Sequence, residues 1–96
     1  MTALSAEISK ISPICAKYGV SSLAVFGSYA KGEARPESDV DMLVSFSNRV
    51  SLLTLVALER ELSELLGREV DLQTEAALSP YLRDRILKER QVVYVS

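Results

Sequence analysis

Apolar residues recur three or four positions apart at the start of the chain: Leu4, Ile8, Ile11 and Cys15. That spacing lines one face of a helix and predicts one over residues 5–18. Pro13 falls inside it, so either the helix kinks there or a second turn starts with Ser12 as N-cap and Pro13 at N1. Gly19 is a natural stop. The run Ser22–Phe26 (SLAVF) is short, apolar and followed by glycine, which suits a central strand. Residues 28–33 predict a brief helix or turn, and GEARPES a loop. Asp39–Phe46 (DVDMLVSF) is a second strand. From Ser51 a long helix runs to Gly67, with Leu55, Leu58, Leu62 and Leu65 as its buried stripe. Residues 69–74 (EVDLQT) alternate with period two and form a third strand. Ser79 and Pro80 are an N-cap and N1 pair opening a helix to about Glu89. VVYV closes the chain as a short edge strand.

The order α-β-α-β-α-β-α-β predicts an α+β (α/β) fold, a mixed sheet with helices mainly on one face. The helix between the second and third strands is long enough for a right-handed crossover, which makes those strands parallel neighbours. With 96 residues and no repeat, low-complexity segment or linker, residues 1–96 read as a single domain. A chain this size buries roughly 60–70% of its unfolded surface, enough for one modest core and no second lobe.

Alternation along the second strand sends Asp39 and Asp41 to one side and Val40, Met42 and Val44 to the other. The apolar set must meet the helices, so the aspartates take the opposite face. In the third strand Val70 and Leu72 take the core side and leave Glu69, Asp71 and Gln73 opposite. If the two strands are neighbours, Asp71 joins Asp39 and Asp41 in one acidic patch. Solvated surface charge is the plain account of Asp-x-Asp taken alone. At ~6.6 Å the pair repels by about 0.6 kcal/mol in water and about 2.5 kcal/mol at an effective dielectric of 20. Only partial burial makes the patch a cation site. Mg²⁺ then suits it, because it binds clustered carboxylates and keeps positions open for substrate phosphates. Two such ions make a phosphoryl- or nucleotidyl-transfer centre.

Gly27 and Ser28 end the first strand, where backbone N–H groups can face an anion. An ordinary exit from a strand is the alternative for this pair alone. A phosphate cradle and a carboxylate pair on successive strands are nevertheless complementary halves of one nucleoside-triphosphate site.

Composition narrows the chemistry. There is no histidine, which removes His-dependent triads and His-ligated zinc, and the lone Cys15 has no imidazole to activate it. One cysteine forms no internal disulfide, consistent with the cytoplasm. A hydrophobic content of 48%, a net charge of -2 and a pI near 5.1 describe a globular chain with no electrostatic footing for direct nucleic-acid binding. No run reaches the ~20 apolar residues of a membrane span, and MTALSAEISK lacks the pattern of a secretory signal.

Gly27-Ser28, ten intervening residues and Asp39-x-Asp41 form a GS-x10-D-x-D pattern. It resembles the signature of the DNA polymerase β-like nucleotidyltransferase superfamily. The surrounding GSYAKGEARPESDVDMLV is similar to its smallest members, the minimal nucleotidyltransferase (MNT) proteins, usually antitoxins paired with a HEPN-domain toxin. The resemblance covers essentially the whole chain. It implies that Asp39 and Asp41 bind two Mg²⁺ ions and that Asp71, the third carboxylate, helps deprotonate the attacking hydroxyl. It also implies that Gly27 and Ser28 bind the triphosphate. Tyr29 and Lys31 stand where many relatives carry basic residues, often arginine; Lys31 keeps the charge without bidentate geometry. Arg35, in the loop before the aspartates, is a further candidate for nucleotide contact.

The resemblance further implies transfer of AMP from ATP to a tyrosine of a HEPN RNase toxin. Two other readings stand beside it: an antitoxin acting by binding alone, and a transferase acting on a small molecule or an RNA end. Arg83, Arg85, Lys88 and Arg90 set against Asp84 and Glu89 read as a solvated helix face, a partner surface or a phosphate-facing cluster. Tyr18, Tyr29, Tyr81 and Tyr94 read as packing or rim residues.

Overall fold

The computed structural model describes residues 8–27 and 39–96. In chain order its elements are α1 (Ile8–Lys17), β1 (Val20–Phe26), β2 (Val40–Phe46), α2 (Leu52–Leu66), β3 (Val70–Thr74), a 3₁₀ turn (Glu75–Ala77), α3 (Pro80–Glu89) and β4 (Gln91–Val95). The element expected over residues 28–33 and the GEARPES loop lie outside the described residues.

Local chemistry sets the helix limits. Thr54 N donates to the Ser51 hydroxyl at 3.3 Å, which caps α2, and Gly67 closes it in the left-handed region at φ 65°. Ser79 accepts from Tyr81 N, and Pro80 occupies the first turn of α3, where its missing N–H costs nothing. At Pro13 no new helix starts, since α1 runs through it as one helix, which leaves the first of the two expected arrangements, a single helix with proline inside it. Pro13 deprives the Ser9 carbonyl of its amide partner, and both residues are exposed, so that carbonyl lies on the solvent side.

The four strands are ordered β3-β2-β1-β4. β2 and β3 pair parallel, as the intervening helix predicted, and β1 pairs antiparallel with β2 and β4. β1 is interior and β4 is an edge, also as expected. Ile11 and Cys15 of α1 and Leu58 and Leu62 of α2 pack on Leu23, Val25, Val40, Met42, Val44, Val70 and Leu72. Leu55 and Leu65 flank this core, completing the expected stripe. Lys17 Nζ meets Glu61 Oε1 at 2.8 Å between the two helices, an exposed pair that adds little.

The opposite face is only partly covered. Phe26, Leu43 and Leu78 form a small second cluster under Ile86 and Leu87 of α3. Two of the three described helices therefore share one face, and α3 lies across part of the other, the face that carries the aspartates. No described helix is long and apolar enough to cross a membrane.

Candidate functional site

Strand register builds the site. Phe26 of β1 pairs with Asp41 of β2, and Asp41 pairs with Asp71 of β3. Paired residues share a face, so these three side chains form a row across the sheet opposite the main core. Asp39 stands just before β2, two positions from Asp41 and exposed. Burial first, then the charges of Asp71 and Asp39, push the Asp41 carboxyl above the ordinary carboxylate range. Asp41 is thus the partly desolvated member of the patch, while Asp39 and Asp71 are exposed.

Gly27 adjoins this row. Its φ is 70°, and a Cβ built there would lie 2.6 Å from Asp41 Oδ2. Backbone conformation and lack of space both demand glycine. The strand-end turn and the carboxylate are in direct apposition.

Asp71 is held from both sides. β3 is an edge strand, yet Val70 N donates to the Ser63 hydroxyl at 3.1 Å and Leu72 N to Glu59 Oε2 at 2.9 Å. The Ser63 hydroxyl in turn donates to the Glu59 carbonyl at 2.8 Å. On the inner side Val40 N donates to the Glu69 carbonyl. Helix α2 therefore grips the amides on either side of Asp71, and Gln73 Nε2 donates to Asp71 Oδ2 at 3.2 Å. Glu59 and Ser63 are supporting residues that sequence reasoning missed. Their helical position showed only polarity, and their targets lie seven and thirteen residues away.

Among the described residues, no group of three or more His, Cys, Asp or Glu side chains is placed to hold a metal ion. Asp41 stands in register with Asp71, and the charges of both Asp71 and Asp39 reach it. Hard carboxylate oxygens beside a half-buried, charge-strained Asp41 fit a divalent cation that retains water or phosphate ligands. Ser28, Tyr29, Lys31 and Arg35 lie outside the described residues.

Two clefts mark the rest of this face. One, about 210 Å³, lies between α3 and Phe26–Gly27. The other, about 240 Å³, lies against Ser22, Ser45, Glu75, Arg90 and Val92, away from the aspartates. The α3 cations serve different ends. Arg85 pairs with Glu89 at 3.4 Å, Arg90 donates to the Leu87 carbonyl, and Arg83 Nε is enclosed without a hydrogen-bond partner. Tyr18 and Tyr94 pack against the core, whereas Tyr81 is exposed. Cys15 is fully buried and its thiol is pushed up to about 11, a structural thiol as its surroundings predicted.

A mixed sheet with clustered carboxylates against a glycine turn has the architecture of a nucleotidyl-transfer protein. A family model described as Nucleotidyltransferase domain matches residues 8–93, and the chain belongs to that family of enzymes. A Methanocaldococcus jannaschii protein named as a protein adenylyltransferase is 51% identical over 80 residues, covering 83% of this chain and 86% of its own. The protein adenylyltransferase MntA of Thermococcus cleftensis is 46% identical over 79 residues, covering 82% and 78%.

A solved minimal nucleotidyltransferase superposes with a TM-score of 0.81 at 41% identity, covering 92% of this chain and 90% of that one. A toxin–antitoxin structure with AMP-PNP gives 0.78 at 21% identity, covering 93% and 73%. A tri-AMPylated HEPN toxin of Shewanella oneidensis in complex with its MNT antitoxin gives 0.71 at 18% identity, covering 95% and 71%. These last two establish likeness of fold. The resemblance to minimal nucleotidyltransferases stated from the motif is borne out.

Proposed function

We propose that this chain is a magnesium-dependent antitoxin that transfers AMP from ATP to a tyrosine hydroxyl of a partner HEPN RNase in the cytoplasm, silencing it. The observation that carries this reading is the Asp41–Asp71 register with Gly27 against Asp41 Oδ2. The names of the relatives, and the AMPylated toxin beside one structural neighbour, support the choice of protein acceptor and of AMP.

Asp39, Asp41 and Asp71 would hold two Mg²⁺ ions, which would supply charge neutralisation of the triphosphate and a lowered pKa of the acceptor hydroxyl. Asp71, steadied by Gln73, receives the hydroxyl proton or faces the oxygen that loses it. That oxygen bonds to the α-phosphorus as the bridging bond to the β-phosphate breaks, and pyrophosphate leaves. The turn at Gly27, with Ser28, Lys31 and Arg35, orients the departing phosphates. Catalysis is positioning and charge compensation.

The relatives named as protein adenylyltransferases favour an acceptor brought by a partner protein over a small molecule. Intact-mass measurement of a co-expressed HEPN partner tests the proposal. We expect one or more AMP additions with the wild-type chain and none with Asp41→Asn. An unmodified partner that is still neutralised would replace this reading with inhibition by binding.

A further inference from the structure

We propose that the groove between α3 and the Phe26–Gly27 turn seats the purine base of the donor nucleotide, an inference that rests on the nucleotidyl-transfer reading and deepens it. The groove is lined by Phe26, Gly27, Leu82, Arg85, Ile86 and Glu89 and holds about 210 Å³. That is smaller than the ~300–1,000 Å³ of pockets that enclose a whole ligand. It suits one flat ring system, with the rest of the molecule left outside.

The lining selects among the parts of the reaction. Three apolar side chains make a surface on which an aromatic ring gains contact area. They offer nothing to a pyrophosphate, whose burial there would go uncompensated. At the rim Arg85 pairs with Glu89 at 3.4 Å through its Nε and keeps further guanidinium N–H donors. The ring nitrogens of a purine can accept from them.

Position separates donor from acceptor. Along the row Phe26–Asp41–Asp71 the groove adjoins the first residue, and the proton-accepting carboxylate is the last. An acceptor phenol seated in the groove would lie on the wrong side of Asp41 from Asp71. Gly27 lines the groove and also abuts Asp41 Oδ2. A base held there lies one residue from the carboxylate at which its α-phosphate must react.

The chain contains no tryptophan, and Leu82 is about half exposed, so Leu82→Trp installs a single reporter without disturbing the core. We expect its emission to change on addition of Mg²⁺-ATP and to stay constant with Mg²⁺-tripolyphosphate. Leu82→Asp should weaken Mg²⁺-ATP binding about tenfold and leave tripolyphosphate binding unchanged, with helical circular dichroism intact. Wild type should bind ATP more tightly than UTP, and the variant should lose that preference. The assignment is overturned by emission that responds equally to both probes or to neither, or by equal affinity of wild type for ATP and UTP. Unchanged ATP affinity with reduced transfer to the partner also overturns it and makes the groove an acceptor site. A wild-type chain that binds neither probe removes the transferase reading itself, an outcome distinct from ATP binding that ignores the groove.

Discussion

Gly27 and Gly67 share nearly the same left-handed backbone, at φ 70° and 65°, but different surroundings. Alanine at Gly67 meets no atom within 4 Å, so only backbone strain opposes it; we expect a loss of about 1 kcal/mol and full activity. Alanine at Gly27 adds a collision with Asp41 Oδ2 and displaces that carboxyl. Its stability loss should be about 2 kcal/mol or more, and AMP transfer should fall at least about tenfold. Denaturant melts and transfer assays on the two variants distinguish a residue needed for its conformation from one needed for the site. Asp41 itself opposes folding when no cation is bound. Its carboxyl is raised in the folded state, so more protons are held folded than unfolded, and stability falls as pH rises through and beyond the ordinary carboxylate range. In EDTA, Asp41→Asn should therefore melt higher than wild type near neutral pH, with the gain vanishing in acid. An Asn variant that is less stable at pH 7 would contradict this account.

Among the elements, β3 depends on support that no strand provides. Its outward amides at Val70 and Leu72 end on Ser63 and Glu59 of α2, which protects an edge and holds Asp71 between two anchors. Removing either anchor leaves a partly buried N–H unpaired, at about 1–3 kcal/mol. Glu59→Ala should speed hydrogen exchange at Leu72 and lower the transfer rate, while the KM for ATP stays near wild type. An equal rise in KM would assign Glu59 to nucleotide binding instead. Sequence reading found the limits of α2 and α3 because caps at Ser51, Gly67, Ser79 and Pro80 are local chemistry. It found the faces of β2 and β3 because alternation is also local. The grip of α2 on β3 escaped it, since a helical glutamate and serine carry no mark of a partner strand. The face occupied by α3 escaped it too, because Leu82, Ile86 and Leu87 lie among charges and form only a small stripe. Continuity through Pro13 turned on solvent exposure, which periodicity alone does not weigh against the cost of proline.

Across the whole molecule the sheet divides the work between its faces. One closes over α1 and α2 and supplies the continuous core; the other carries the aspartates, half covered by α3. So small a chain has little core beyond that closed face, and the open face sets a charge repulsion against it. On the proposed reading, a divalent cation held by Asp39, Asp41 and Asp71 would reverse that repulsion only in the folded state, so its binding would add directly to stability. At a hundredfold excess over its Kd the ion contributes about 2.7 kcal/mol. For a domain of this length that is a rise in Tm on the order of 10 °C. Calorimetry should show this rise with Mg²⁺ at neutral pH, its reversal by EDTA and its absence in Asp41→Asn. As pH falls into the raised range of the Asp41 carboxyl the rise should shrink, because that carboxyl takes up a proton that competes with the ion. A shift of equal size in Asp41→Asn would place the ion elsewhere and detach the acidic row from metal binding.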